Sequence, residues 1–121
     1  MKIAVFVLLS FALLNASPVS EGNKLFANVF YGKALESYLS ARKENPAEPV
    51  LFYNIGTCQY MLGNYEDAIK ELEPAVRFPD SSLAAKAAYN LANAYFRSGE
   101  KAESATKIEA WRQSIAYLKK A

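Results

Sequence analysis

The sequence predicts an all-α fold made of short helical hairpins, and residues 49–78 carry this prediction most clearly. Two apolar stripes with the spacing of one helix face follow each other there. They consist of Leu51, Ile55, Cys58 and Leu62, and then of Tyr65, Ala68, Ile69, Leu72 and Ala75. Between the stripes Gly63 can adopt a positive φ and Asn64 can cap the next helix, while Pro49 suits a first helical position. Such a hairpin keeps an apolar face that needs neighbouring hairpins.

The composition agrees with a helical domain and excludes several kinds of site. A chain of 121 residues is enough for one small domain, and its formal net charge of +2 includes no dense Lys/Arg cluster of the kind that binds nucleic acid. Histidine is absent and Cys58 is the single cysteine, which removes the common zinc sites, Cys–His nucleophile pairs and any internal disulfide. Because Cys58 lies in an apolar stripe, we expect a small buried side chain rather than a reactive thiol.

Residues 1–16 have the layout of a secretory signal peptide. Lys2 precedes an apolar run over residues 3–14, and small or turn-forming residues follow, so cleavage is expected after Ala16. The run is shorter than the roughly 20 residues that a membrane-spanning helix needs. We therefore expect an exported protein of the periplasm or cell envelope, with its folded domain over residues 17–121.

The central hairpin resembles the tetratricopeptide repeat, a helix–turn–helix unit of about 34 residues. Its small and large pattern positions are matched by Gly56, Ala68 and Ala75, and by Ile55, Tyr65 and Leu72. Gly22 precedes Gly56 by one such period. The resemblance implies a right-handed α-solenoid of about three hairpins, over about residues 20–46, 47–80 and 81–121.

The outer two hairpins depart from the repeat pattern. In the first, Val29 stands where the turn glycine is usual. In the third, Asp80 or Ser81 is expected to cap a first helix that ends at residues 97–99. Trp111 fits the aromatic first position of the second helix, which indicates an insertion of about ten residues near 100–110. That segment is rich in Ala, Glu and Lys, so we expect a long final helix.

No arrangement typical of an enzyme is visible. There is no histidine base and no Gly-rich phosphate loop, and the serines have no recognisable partner. Glu66–Asp67 and the pair Glu71 and Glu73 are expected on solvated helix exteriors. We predict a non-enzymatic protein without a cofactor or metal.

The resemblance implies a concave groove, lined by the first helix of each hairpin, that binds a partner peptide. Its positions carry over to Asn23, Phe26 and Ala27, then Tyr53, Asn54, Thr57, Tyr60 and Met61, then Tyr89, Asn90, Asn93, Phe96 and Arg97. Aromatic rings supply contact area and amides hydrogen-bond a peptide backbone. Asn54 and Asn90 resemble asparagines that hold a peptide backbone or a terminal carboxylate in some family members. Arg97 would then bind the same carboxylate. The alternative is that both are structural. Among the lysines, only Lys24 is expected near the groove.

A narrower resemblance concerns residues 21–26 and 107–118, which are similar to repeat proteins of bacterial aerotolerance (Bat) operons. Those proteins accompany membrane proteins with von Willebrand A domains. The resemblance implies an envelope partner and a role in complex assembly or stress tolerance.

The predicted function is therefore an exported scaffold that binds another protein. One alternative is a self-associating subunit that pairs through an uncapped C-terminal helix carrying Trp111, Ile115 and Leu118. Another is a small enzyme or ligand carrier that uses the groove as a pocket.

Overall fold

The computed structural model describes residues 17–101, 109, 111–113, 115–116 and 118–119. This part of the chain contains no strand and forms the helices α1 Pro18–Ala27, α2 Tyr31–Glu44, α3 Pro49–Met61, α4 Tyr65–Ala75 and α5 Ser81–Lys101. Residues 109, 111–113, 115–116 and 118 are also helical. The prediction of an all-α helical-repeat solenoid is confirmed. The predicted signal peptide and most of the predicted insertion lie outside the described residues.

The helices of each of the first two hairpins cross at a glycine. A Cβ atom on Gly22 would lie 2.5 Å from Cε1 of Tyr38, and one on Gly56 would lie 2.6 Å from Cγ of Leu72. Both glycines and both facing side chains are buried. Gly22 and Gly56 are 34 positions apart, and so are Tyr38 and Leu72. The same crossing therefore occurs twice, and the first copy has the larger facing side chain.

Both hairpins also reverse direction through the same hydrogen-bonded turn. The amides of Gly63 and Val29 donate to the carbonyls of Tyr60 and Phe26, and the amides of Asn64 and Phe30 donate to the carbonyls of Gln59 and Leu25. This pattern is the Schellman motif, which requires a positive φ. Gly63 has a φ of 81° and Val29 one of 67°. The missing turn glycine therefore leaves the turn intact and places a β-branched residue in a strained conformation.

The two predicted helix caps have different outcomes. Asp80 caps α5 as expected, because its Oδ1 accepts from the Leu83 amide at 3.1 Å. Asn64 occupies the N-cap position of α4, but its side chain donates to Gln59 Oε1 at 2.9 Å and makes no capping bond.

The third hairpin closes with the same aromatic contact as the others. Ring centroids lie 5.0 Å apart in Phe26–Tyr31, 5.5 Å in Tyr60–Tyr65 and 5.9 Å in Phe96–Trp111. In the first two pairs the end of the first helix meets the start of the second, and in the third pair a residue of α5 meets Trp111. The prediction that the first helix of this hairpin ends at residues 97–99 is wrong, since α5 continues to Lys101 with Gly99 inside it. The longer connection to Trp111 makes a reversal at Gly99 unnecessary.

Two buried clusters hold the stack together. The first joins α2 to α3 and consists of Ala34, Tyr38, Ala41, Leu51, Ile55 and Cys58. The second joins α4 to α5 and consists of Ala68, Leu72, Ala75, Ala87, Leu91 and Ala94. Helix α3 also contacts α5 directly. The first helices of the second and third hairpins therefore lie side by side.

The expectation that Glu71 and Glu73 are solvated is wrong. Glu71 accepts two bonds from Arg42, at 2.9 Å from Nη1 and 2.5 Å from Nη2, and Arg42 lies 5.0 Å from the Phe52 ring centroid. Glu73 accepts a hydrogen bond from the Tyr95 hydroxyl. Both carboxylates are half-buried because they point at the neighbouring helices α2 and α5. Glu66 and Asp67, by contrast, are exposed.

Candidate functional site

The concave face contains a pocket of about 200 Å³ where α1, α2 and α3 meet. Its lining consists of Asn23, Phe26, Tyr38, Tyr53, Asn54 and Thr57. The Tyr38 hydroxyl donates to Asn23 Oδ1 at 2.7 Å, which orients the Asn23 amide. The pocket combines aromatic walls with two carboxamides, so it can receive an apolar group and hydrogen-bond the atoms next to it.

A second pocket of about 340 Å³ lies between α3 and α5. It is lined by Tyr53, Ala85, Lys86, Tyr89 and Asn90. Tyr53 belongs to both pockets, so they adjoin each other along α3. The shared side chain makes them two compartments of one groove.

A chain of hydrogen bonds ties the two first helices together at the floor of this groove. Asn90 Nδ2 donates to Thr57 Oγ1 at 3.0 Å, and Thr57 Oγ1 donates to the Tyr53 carbonyl at 2.7 Å. The amide of Asn90 thus has a structural use between α5 and α3. The Asn54 side chain, which lines the first pocket, makes no hydrogen bond to any described residue. The two asparagines at equivalent repeat positions therefore have different roles, since Asn90 bonds to a neighbouring helix and Asn54 does not.

Other predicted groove residues lie at the hairpin ends. Tyr60 and Phe96 contribute to the aromatic pairs with Tyr65 and Trp111, and Tyr60 is half-buried against the second cluster. Met61 is exposed at the end of α3. Asn93 is half-buried on α5 and lines neither pocket.

Arg97 already has partners. Its guanidinium lies 5.9 Å from the Tyr65 ring centroid, and its Nη1 lies 3.2 Å from Glu100 Oε2. Tyr65 and then Glu100 raise the pKa of Arg97 above its ordinary value, so the side chain remains a cation. A partner carboxylate would compete with Glu100 for it.

The repeat geometry agrees with a comparison against protein families, in which the tetratricopeptide repeat matches residues 20–82 and 62–117. The chain belongs to the tetratricopeptide repeat family. It is also 31% identical over 96 residues to the small glutamine-rich tetratricopeptide repeat-containing protein 2 of Mycosarcoma maydis. The alignment covers 79% of this chain and 26% of that protein, so the chain spans about a quarter of its relative. Tetratricopeptide repeats are generally non-enzymatic scaffolds that bind other proteins.

Sequence reasoning missed three residues that line the pockets of this repeat protein, namely Tyr38, Ala85 and Lys86. Lys86 lies one helical turn before Asn90, so the spacing i to i+4 could have indicated it. Lys24, the expected lysine, is exposed and lines neither pocket. Tyr38 reaches the groove from a second helix, because it packs over Gly22 and extends beyond it.

The residues that the structure describes contain no group of side chains arranged to hold a metal ion. Among the same residues, no helix combines the length and the apolar character needed to cross a bilayer. Cys58 is buried, and burial raises the pKa of its thiol from 9.0 to about 11. The thiolate is therefore scarce at neutral pH, and this cysteine acts as a packing residue.

Proposed function

We propose that this protein is an adaptor that binds an extended segment of a partner protein in its concave groove. The position of Tyr53 carries the proposal. Its side chain separates two adjoining pockets, so a strand-like peptide crossing it would place one side chain on either side. Tyr89 adds an exposed aromatic surface at the α5 side.

The two compartments favour different peptide groups. The first offers Phe26, Tyr38 and Tyr53 as walls and the unused amide of Asn54, which suits an apolar side chain and the peptide bond beside it. The second offers Lys86, which is exposed and forms no ion pair with a described residue. An acidic side chain or a carboxyl terminus would be attracted there.

We further propose that the protein acts without catalysis and outside the cytoplasm. The layout of residues 1–16 supports export to the periplasm or envelope. The similarity of residues 21–26 and 107–118 to aerotolerance-operon proteins supports an envelope membrane protein as the partner. The role would then be assembly of an envelope complex or tolerance of stress.

The test is affinity capture from an envelope fraction with three forms of the protein. The groove variant is Asn54→Ala with Tyr89→Ala, since both side chains face the groove and Tyr53 is retained for its packing against the second cluster. The control variant is Leu39→Ala, an exposed residue of α2 that lines neither pocket. We expect the groove variant to bind its partner at least about tenfold more weakly.

A partner that all three forms retain would move the binding site away from the groove. Circular dichroism of each form checks that the helices are intact. A peptide array made from the captured partner then tests whether apolar and acidic residues recur with a fixed spacing.

Self-association is a second candidate, and exposure near the C-terminus favours it. Ile115 and Leu118 are 57% and 47% exposed, whereas Leu72, at the position equivalent to Leu118, is fully buried. Two copies could cover these faces mutually. Light scattering from micromolar to millimolar protein, with Leu118→Gln as the variant, distinguishes a dimer from a monomeric adaptor.

A further inference from the structure

The first and second hairpin turns have the same backbone conformation, but the two central residues carry apolar side chains in the first turn and not in the second. Phe30 has φ −87° and ψ 65°, and Asn64, 34 positions later, has φ −88° and ψ 69°. The preceding residues, Val29 and Gly63, both have a positive φ. The second turn thus uses Gly and Asn where the first uses Val and Phe.

Folding does not explain this choice in the first turn. Val29 is 64% exposed and Phe30 is 55% exposed, so neither side chain contributes much to the core. A β-branched residue at positive φ is strained, and glycine in the same position is not. Strain together with apolar exposure at one site indicates that the site contacts something else.

The surroundings of this tip are basic. Lys33 Nζ lies 5.7 Å from the Phe30 ring centroid, and Lys24 lies on the preceding helical turn, where its carbonyl accepts from Asn28 Nδ2. Both lysines are exposed and form no ion pair with a described residue. Glu21 and Glu36 lie about one turn further from the tip.

The second turn is a natural comparison because its apolar residues have acidic neighbours. Leu62 is exposed there, but Glu66 and Asp67 are exposed in the first turn of α4. The cations beside the first tip have no ion-pair partner among the described residues, whereas Arg97, which lies over Tyr65 beside the second turn, is paired with Glu100. The first tip also projects from the end of its hairpin, so its side chains can enter a soft surface such as a lipid bilayer.

We propose that the first turn inserts Val29 and Phe30 into the interface of an anionic lipid bilayer. Lys24 and Lys33 would hold the lipid headgroups, with their aliphatic stems beside the apolar tip. Two side chains provide weak and reversible membrane contact. The lipid surface would then orient the repeat stack without obstructing the pockets on its concave face.

Local fluorescence quenching tests the insertion in the full chain. Phe30→Trp and the matched control Leu62→Trp each place an indole on one turn, and the signal of native Trp111 is subtracted with the wild type. Vesicles contain phosphatidylglycerol and brominated phosphatidylcholine. A local readout is needed because residues 3–14 are themselves apolar. We expect quenching and a blue shift at position 30 and neither at position 62.

A second comparison tests the headgroup contacts. Lys24→Gln with Lys33→Gln, added to Phe30→Trp, should reduce quenching several-fold on the anionic vesicles and leave the weak signal on neutral vesicles unchanged. Equal quenching at positions 30 and 62, or none at position 30, would overturn the proposal. Lipid-free capture of a protein that depends on Phe30 would also overturn it and assign the tip to a protein contact.

Discussion

At the residue scale, the two glycines at helix crossings set how closely each hairpin packs. Gly56 faces Leu72 and Gly22 faces Tyr38, and both faces are closed to an added Cβ. Gly32 differs, since nothing lies within 4 Å of the position where its Cβ would be. Packing therefore requires a glycine at positions 22 and 56, but not at position 32, which is also helical.

Replacing Gly56 by leucine should overpack the crossing and lower the free energy of unfolding by about 1–3 kcal/mol. The reason is that the added Cβ would lie 2.6 Å from Cγ of Leu72, a fully buried side chain packed in the second cluster. Gly32→Ala is the control and should raise stability by up to about 1 kcal/mol. Chemical denaturation measures both, and an unchanged midpoint for Gly56→Leu would contradict the packing.

At Val29 the backbone, with a φ of 67°, would be better suited to glycine than to the valine that is present. Val29→Gly should raise the free energy of unfolding by up to about 1 kcal/mol, since relief of the strained φ outweighs the greater entropy of an unfolded glycine chain. The same change at exposed Leu39, which lies inside α2, should instead lower stability by about 1 kcal/mol. Thermal melts monitored by circular dichroism test both. A lower melting temperature for Val29→Gly would indicate that the valine side chain packs in the folded state.

At the element scale, successive hairpins are joined by polar contacts as well as by the buried clusters. Arg42 of α2 bonds Glu71 of α4 across the first interface, and Asn90 of α5 bonds Thr57 of α3 across the second. These partners are separated by 29 and 33 positions, close to one repeat. The polar contacts between successive hairpins therefore join residues that lie too far apart in the sequence for a local pattern to pair them.

Glu71→Gln should lower the free energy of unfolding by about 1–2 kcal/mol, because it weakens charge-assisted bonds and leaves the Arg42 charge half-buried without its counterion. Glu66→Gln provides the control, since Glu66 is exposed on the same helix. A double-mutant cycle with Arg42→Met isolates the pair. If Glu71→Gln and Glu66→Gln had equal effects, the ion pair would not contribute.

At the scale of the whole molecule, the chain is a nearest-neighbour stack whose middle hairpin is covered on both sides. Cluster one buries α3 against α2, and cluster two buries α4 against α5. Stability in such stacks is a sum of local and interface terms. The outer helices then have one interface fewer than the middle ones.

Hydrogen exchange should accordingly be slowest in α3 and α4 and faster in α1. Mass spectrometry of peptic fragments measures this directly. Leu91→Ala, in the second interface, should speed exchange in α4 and α5 more than in α1 and α2. Uniform acceleration over all helices would indicate a single cooperative unit instead.

Alkaline pH should destabilise the molecule through its first cluster, which contains both Cys58 and Tyr38. Burial raises the pKa of Cys58 from 9.0 to about 11, and burial, with the nearby Cys58, raises the pKa of Tyr38 from 10.0 to about 12. The unfolded chain loses the thiol proton first, so stability is unaffected below pH 9 and falls between pH 9 and 11. The expected loss from Cys58 is roughly 2–3 kcal/mol.

Urea unfolding at pH 8, 9, 10 and 11 measures this loss. Cys58→Ala should retain only the part that begins near pH 10, which arises from Tyr38. The same pH dependence in wild type and variant would show that the thiol keeps its ordinary pKa in the fold.

The sequence by itself determined the helical hairpins, the 34-residue period, the glycine crossings and the position of the first two turns. Helices and turns depend on spacing within a few residues, which helical periodicity makes visible in the sequence, and the repeat period follows from the resemblance between hairpins. The first-helix positions also indicated Tyr53, Asn54, Thr57, Tyr89 and Asn90, which the structure places in two adjoining pockets.

Only the tertiary structure decided what these side chains do. It showed that Asn90 bonds to Thr57, whereas the Asn54 side chain faces a pocket. It added Tyr38 and Lys86 to the pocket linings. It also showed that α5 continues through Gly99. It also paired carboxylates that the sequence had indicated as solvated. Such outcomes depend on which residues of neighbouring hairpins meet. Distances across an interface are set by packing of whole helices, which a repeating sequence pattern does not contain.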